Sequence, residues 1–431
     1  MARLNALPQF FRTHSSSLYT FVMLGTERVL QMFIGLWIAT AIARHFDHGT
    51  FASWQITMSL WLVFGTIGNI TGERVLLPRL CAEPPEGMPR LWNTALAAKA
   101  LTGLIAAVPL VLWAATLDNP TIFALALLWA LQMLVSAPMS LAVHEAYARD
   151  DFRFPQIARI VGMIARLLVV TVLLLVFQAP VVWLVWGWII EALVLSLMLC
   201  RNWLTGSRIR PGLVDWRLMR NIFAQGAALA VASAASVALS RIDRVTLGAA
   251  IPADVLSQYS AAMTLLESAF AFATMLATIV GAKTLFRPGP IIASQHLGMT
   301  CLSASIAALL SLLLSLIAQP LMTTLYGENY AGSGTYLQIA CWLLPLVFAQ
   351  SILQAPLLLR ATKTYHVIKA VTAFGLGALV ASLTAHFQHY HAISAGAYVG
   401  YLTLIAFDLT ELYLRRKDIY AHPGHPASKN A

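Results

Sequence analysis

Arg241, Asp243 and Arg244 stand at the end of a stretch that is otherwise apolar and small-sided, AALAVASAASVALSRIDRVTLG, residues 227–248. Ser233, Ser236, Ser240 and Asp243 follow one another at steps of three, four and three. On an α-helix that spacing lines them along one face, and Arg244 continues the face from Ser240. Ala and Gly fill most other positions, so neighbouring helices can approach closely. A hydroxyl stripe leading to two guanidinium groups suits a charged, oxygen-rich ligand, because Arg binds phosphate through paired hydrogen bonds. Such a helix belongs beside a water-filled cavity rather than against lipid.

Further charges lie inside apolar runs, where an ionisable side chain costs about 2.5–3.5 kcal/mol on insertion scales. Glu27 and Arg28 are about ten residues, or about 15 Å, into the first run. They are sequence neighbours about 100° apart on a helix, so they do not pair easily with each other. Gln31 is one turn on, and Arg28 reads as a cavity-lining cation. Thr66, Asn69 and Glu73 share a helical spacing in the second run, with Arg74 beside them. Arg74, near the cytoplasmic end, and Lys99, about two turns into the third run, either line the cavity or snorkel to the interface. Arg166 and Glu191 sit at similar depths on adjacent runs and read as an ion pair. Glu267 is mid-run with no obvious partner, which leaves a proton- or cation-coupling role open to it. Asp243 is a further acid that pairs or couples. Asp408 and Glu411 lie near Arg415 and read as a solvated helix end. The site expected from these residues is a cationic cavity of Arg28, Arg74, Lys99, Arg166, Arg241 and Arg244, with Glu27, Glu191, Asp243 and Glu267 as paired or coupling acids.

The elements that must carry these groups are membrane spans. The chain has 431 residues, of which 59% are hydrophobic and 11% charged, with mean hydropathy +0.74. Soluble domains carry about a quarter charged residues. Apolar runs long enough to cross the hydrocarbon recur from end to end, whereas a β-barrel shows short alternating segments. About twelve spans are expected, near 17–43, 50–77, 91–116, 120–145, 155–178, 180–200, 217–247, 254–282, 297–318, 334–359, 365–386 and 392–414. The first is too long for a signal-peptide core and reads as a retained helix. Pro138, Pro345 and Pro356 are expected kinks. From Arg217 to Arg241 is about 36 Å of helix, so a straight helix puts Arg241 and Arg244 at the outer interface, whereas a tilted helix, or one broken at Gly226 or Gly248, holds them in the cavity, the reading that the serine stripe favours.

Lys and Arg fall in alternate loops, with Arg44 as the exception, which puts both termini in the cytoplasm. The longest basic connector, RNWLTGSRIRPGLVDWRLMRN, separates two sets of six spans. It reads as a surface segment held by anionic headgroups or as a partner site. The expected architecture is therefore an all-α polytopic membrane protein. It has an N-terminal six-helix lobe (1–200), a basic connector (201–216), a C-terminal six-helix lobe (217–414) and a disordered tail (415–431). Cys81, Cys200, Cys301 and Cys341 are scattered, so no disulfide framework is expected. His386, His389 and His391 read as an exposed loop cluster rather than a metal site. No Walker A motif is present. No cofactor, metal or nucleic acid is expected.

The segment SRIDRVTLGAAIPADVLSQYSAAMTLLES resembles the seventh and eighth helices of bacterial polysaccharide flippases of the MOP exporter superfamily. The matching residues are Asp243, Arg244, Leu247 and Gly248, then Tyr259, Ser260, Ala261 and Ala262. LYGENYAGSGTYLQIACWLLPLVFAQSILQAPLLLRATKTY is similar to that family's stretch between spans 9 and 11, and IARHFDHGTFASWQITMSL to its first outer loop and second span. The resemblance implies two six-helix lobes rocking around a central cavity, whose arginines hold the diphosphate of an undecaprenyl-diphosphate-linked oligosaccharide. It implies a transporter rather than an enzyme, in the bacterial inner membrane, serving O-antigen or exopolysaccharide synthesis beside a possible polymerase. Only Arg244 of the candidate cations lies in a matched motif. The alternatives are a drug or organic-cation antiporter of the same superfamily, which should show a carboxylate-dominated cavity, or a membrane polysaccharide polymerase or ligase, which should carry larger outer loops.

Overall fold

The computed structural model describes residues 6–205, 210–248, 250–284, 293–389 and 393–419. Arg208, Arg287, His391 and the tail from 420 lie outside them. The described residues are helical, with no strand among them. In chain order the helices are α1 (Ala6–His45), α2 (His48–Gly65), α3 (Glu73–Ala82), α4 (Met88–Ala115), α5 (Pro120–Ala148), α6 (Arg153–Leu175) and α7 (Trp186–Thr205). They continue with α8 (Trp216–Ser240), α9 (Ile242–Leu247), α10 (Ala253–Thr284), α11 (Ala293–Tyr326), α12 (Ser333–Ala340) and α13 (Leu343–Leu353). The last are α14 (Leu357–Arg360), α15 (Lys363–His386), α16 (Ala395–Leu414) and α17 (Arg416–Ile419). Eight helical segments among the described residues are long and apolar enough to cross a membrane. The other four expected spans fall on α1, on α2 through α3, on α10 and on α16.

Polar residues in the short linkers cap the helices that follow them. Asn119 caps α5, accepting from the backbone N–H of Thr121 at 3.0 Å and Ile122 at 3.2 Å, with Pro120 at the first helical position. Asp47 caps α2 through the Thr50 N–H and hydroxyl, and the Thr50 hydroxyl bond above all holds its carboxyl below the usual range. Arg44, the cation that broke the loop pattern, donates to the carbonyl of Leu325 at 2.7 Å. It thereby neutralises the carbonyl end of α11.

Three expected spans are broken, the tenth of them between α12 and α13 and again between α13 and α14. The second stops at Gly65, turns through a 3-10 segment (Thr66–Thr71) and restarts as α3 behind Gly72. The seventh stops at Ser240. Its break is at Arg241, whose φ −129° and ψ 27° leave the helix, and not at Gly226 or Gly248. Gly226 serves packing instead: a Cβ there would stand 1.9 Å from the carbonyl oxygen of Ile70.

Close packing divides the chain into two units, residues 1–38 with 67–227, and residues 39–66 with 228–431. The second unit therefore includes α2. Within it α11 shows how membrane packing selects residues: Leu302, Ile306, Leu309, Leu313 and Leu316 are exposed, while Thr300, Ser303, Ala307, Ser311 and Ala318 are buried. Small and hydroxyl side chains meet protein and large aliphatic ones face outward, as expected where lipid is the solvent.

Gly226→Leu should lower the thermal midpoint of the detergent-solubilised protein, because overpacking costs about 1–3 kcal/mol. An unchanged midpoint would contradict the close approach to Ile70.

Candidate functional site

Charge is handled differently in the two units. In the first, Glu27 is buried and reaches Arg159 at 3.4 Å. Arg28, its chain neighbour, is exposed and donates to Gln31 Oε1 at 3.2 Å. The tyrosine hydroxyl of Tyr147 lies within electrostatic reach of Arg159, Glu27, Glu73 and Arg28, which places these groups in one neighbourhood. Arg74 is exposed at the first turn of α3. Lys99 is only 4% exposed, and its ammonium donates to Ser140 Oγ at 2.8 Å. Among the described residues no carboxylate pairs with it. His144, one turn beyond Ser140 on α5, is within electrostatic reach of Lys99 and Arg159, and its Nδ1 is buried without a hydrogen-bond partner.

Arg166 and Glu191 pair at 2.7 Å, joining α6 to α7. The Arg166 guanidinium also stacks on Trp188, 5.0 Å from the ring centroid. With acid and aromatic both engaged and Arg166 buried, this pair acts as a helix tie.

In the second unit the break at Arg241 creates a compact ion cluster. Glu267 Oε2 accepts from Arg241 Nη2 at 2.7 Å, and its Oε1 accepts from Arg244 Nη2. Arg244 Nε donates to Asp243 Oδ2 at 3.1 Å. Longer bonds of 3.4 Å run from Arg244 to Gln55 and from Arg241 to Ser59, both on α2. Arg244 has 0% of its side chain exposed, against 13% for Arg241 and 16% for Glu267. Two arginines thus meet two carboxylates. Glu267, which showed no partner in sequence, bridges both guanidiniums. The serine stripe contributes little: Ser236 and Ser240 donate to carbonyls of their own helix, and the break removes Asp243 from their helical run.

Asp408 is not at a solvated helix end. It is fully buried and accepts from Lys369 Nζ at 2.8 Å and from the Tyr365 hydroxyl at 2.9 Å. Lys369 lies in the second turn of α15. Glu411 does pair with Arg415. Arg159, Ser140, His144, Gln55 and Ser59 were not singled out by sequence. The one available signal was that the buried Glu27, Lys99 and Arg244 each needed a polar partner.

Residues 88–335, more than half the chain, match the family described as polysaccharide biosynthesis protein. The chain belongs to that family. Among curated proteins no sequence matches. Solved structures show the fold. One is the inward-facing conformation of a multidrug resistance MATE family transporter of the MOP superfamily, at TM-score 0.68 and 12% identity, covering 91% of this chain and 94% of that one. Another is the lipid II flippase MurJ in an inward closed conformation, at TM-score 0.65 and 12% identity, covering 94% of each chain. A third is a MOP superfamily transporter from Pyrococcus furiosus, described as having a binding pocket of reverse polarity, at TM-score 0.56 and 12% identity, covering 93% and 95%. This polysaccharide biosynthesis protein is thus a multi-pass, all-α membrane protein with the fold of MOP-superfamily transporters.

Breaking the Arg166–Glu191 pair on one side should cost about 3–5 kcal/mol, while an apolar double replacement should recover most of it. Glu191→Leu should therefore lower the thermal midpoint more than Arg166→Met combined with Glu191→Leu. A double-variant loss equal to the sum of the two single losses would show that the two side chains act independently.

Proposed function

We propose that this protein moves an undecaprenyl-diphosphate-linked oligosaccharide from the cytoplasmic to the outer leaflet of a bacterial inner membrane, for O-antigen or exopolysaccharide synthesis. The family membership supports a place in polysaccharide biosynthesis, and the fold shared with a lipid II flippase supports translocation of a lipid-linked sugar. The observation that carries the reading is Lys99, a buried amine whose one hydrogen-bond partner among the described residues is the Ser140 hydroxyl. Burying an uncompensated cation is costly, and a substrate phosphate would supply the missing charge. Arg28 and Arg74, both exposed in the same unit, would meet the head group first. Within the second unit Arg241 stands at the partly exposed edge of its ion cluster, whereas Arg166 and Arg244 are tied into buried ion pairs. Two moving lobes with alternating access would carry the head across while the polyprenyl tail stays in lipid. No cofactor is needed, and a polysaccharide polymerase is the partner that would consume the product.

A cationic drug would need an open carboxylate. Glu191 and Glu267 are each already tied to arginine, which favours an anionic cargo.

In cells lacking the gene, lipid-linked units should accumulate on the inner leaflet, out of reach of a membrane-impermeant sugar-modifying enzyme applied to spheroplasts. Wild type should restore access, and Arg28→Ala or Lys99→Met should not. Met preserves the length and packing of Lys99 without its charge. Normal restoration by both variants would overturn the anionic-substrate reading.

A further inference from the structure

Resting on that reading, we propose that Glu267 is a built-in stand-in for the substrate phosphate: it holds Arg241 until the diphosphate displaces it, then reclaims Arg241 to drive release. The geometry is that of a bridging oxyanion. One carboxylate spans two guanidiniums, with Oε2 on Arg241 at 2.7 Å and Oε1 on Arg244. Planar guanidinium groups engage carboxylate and phosphate in the same manner, so one can replace the other.

The cluster is graded for such an exchange. Arg244 is fully enclosed and keeps Asp243 on its Nε. Arg241 and Glu267 form the partly exposed edge. Apart from Glu267, the one hydrogen bond of the Arg241 guanidinium among the described residues is the 3.4 Å contact to Ser59, and Arg241 sits at the non-helical joint between α8 and α9. When a phosphate takes Arg241, Glu267 retains Arg244 through Oε1. Arg244 retains Asp243, so each buried group keeps an ion-paired partner, although one arginine then faces two carboxylates. That condition matters because an unpaired buried charge costs several kcal/mol. Arg241 carries this role and Glu267 limits its availability, so affinity is held down in exchange for turnover.

The test uses purified full-length protein in nanodiscs, with undecaprenyl diphosphate and inorganic pyrophosphate as separate probes, and translocation measured in proteoliposomes. Glu267→Gln should bind the lipid diphosphate about tenfold more tightly, the gain expected if Arg241 is free in about a tenth of wild-type molecules. It should also lower the maximal translocation rate. Adding Arg241→Ala should erase the gain in affinity. If Glu267→Gln fails to fold, Glu267→Asp keeps the charge but is one methylene too short to span both arginines, and it should show the same gain to a smaller degree. Wild type that binds the lipid with Glu267→Gln no tighter would overturn the stand-in role alone. Failure of both proteins to bind either probe would overturn the diphosphate reading and this role with it. A gain confined to inorganic pyrophosphate would overturn the lipid assignment.

Discussion

Every charged group taken into this fold must find an opposite charge or a strong hydrogen bond, because lipid offers neither. That constraint explains the break at Arg241. A continuous α8 would carry Arg241, Asp243 and Arg244 around successive helix faces. Leaving helical geometry at Arg241 allows Arg241 and Arg244 to reach the same Glu267 on α10 and allows Arg244 to keep Asp243. It also explains why α2 belongs with the second unit: Gln55 and Ser59 supply the remaining polar contacts to the two arginines.

The first unit solves the same problem less completely. Glu27 takes Arg159, and Arg166 takes Glu191 and a tryptophan face. Among the described residues Lys99 has only the Ser140 hydroxyl as a hydrogen-bond partner. In the second unit, by contrast, the two arginines and two carboxylates of the Arg241 cluster balance one another.

Much of the fold was legible in the sequence because apolar length and turn chemistry are local. Asn119 followed by Pro120 announces the start of α5, and it caps that helix. The ion pair of Arg166 and Glu191 was also legible, since adjacent spans of similar length bring residues of equal depth together. Other features were hidden because they depend on distant partners. Glu267 lies 23 residues from Arg244 and across a broken helix. Asp408 sits near a helix end in sequence, yet Lys369 and Tyr365 enclose it from α15. Depth counted along one helix does not reveal what the next helix covers. The glycines marked as candidate breaks misled for the same reason: Gly226 is needed for the approach of Ile70, a contact that spacing along one helix does not show.

The most direct measurement compares two cargoes in proteoliposomes containing the purified protein. One is an undecaprenyl-diphosphate-linked sugar; the other is the same sugar on a neutral polyprenyl carrier. Transfer between leaflets is followed by access to an impermeant sugar oxidase. Protein-dependent transfer of the diphosphate-linked sugar alone is the expected result. Equal transfer of both cargoes, or transfer no faster than in protein-free vesicles, would contradict a translocation pathway built to recognise an anion.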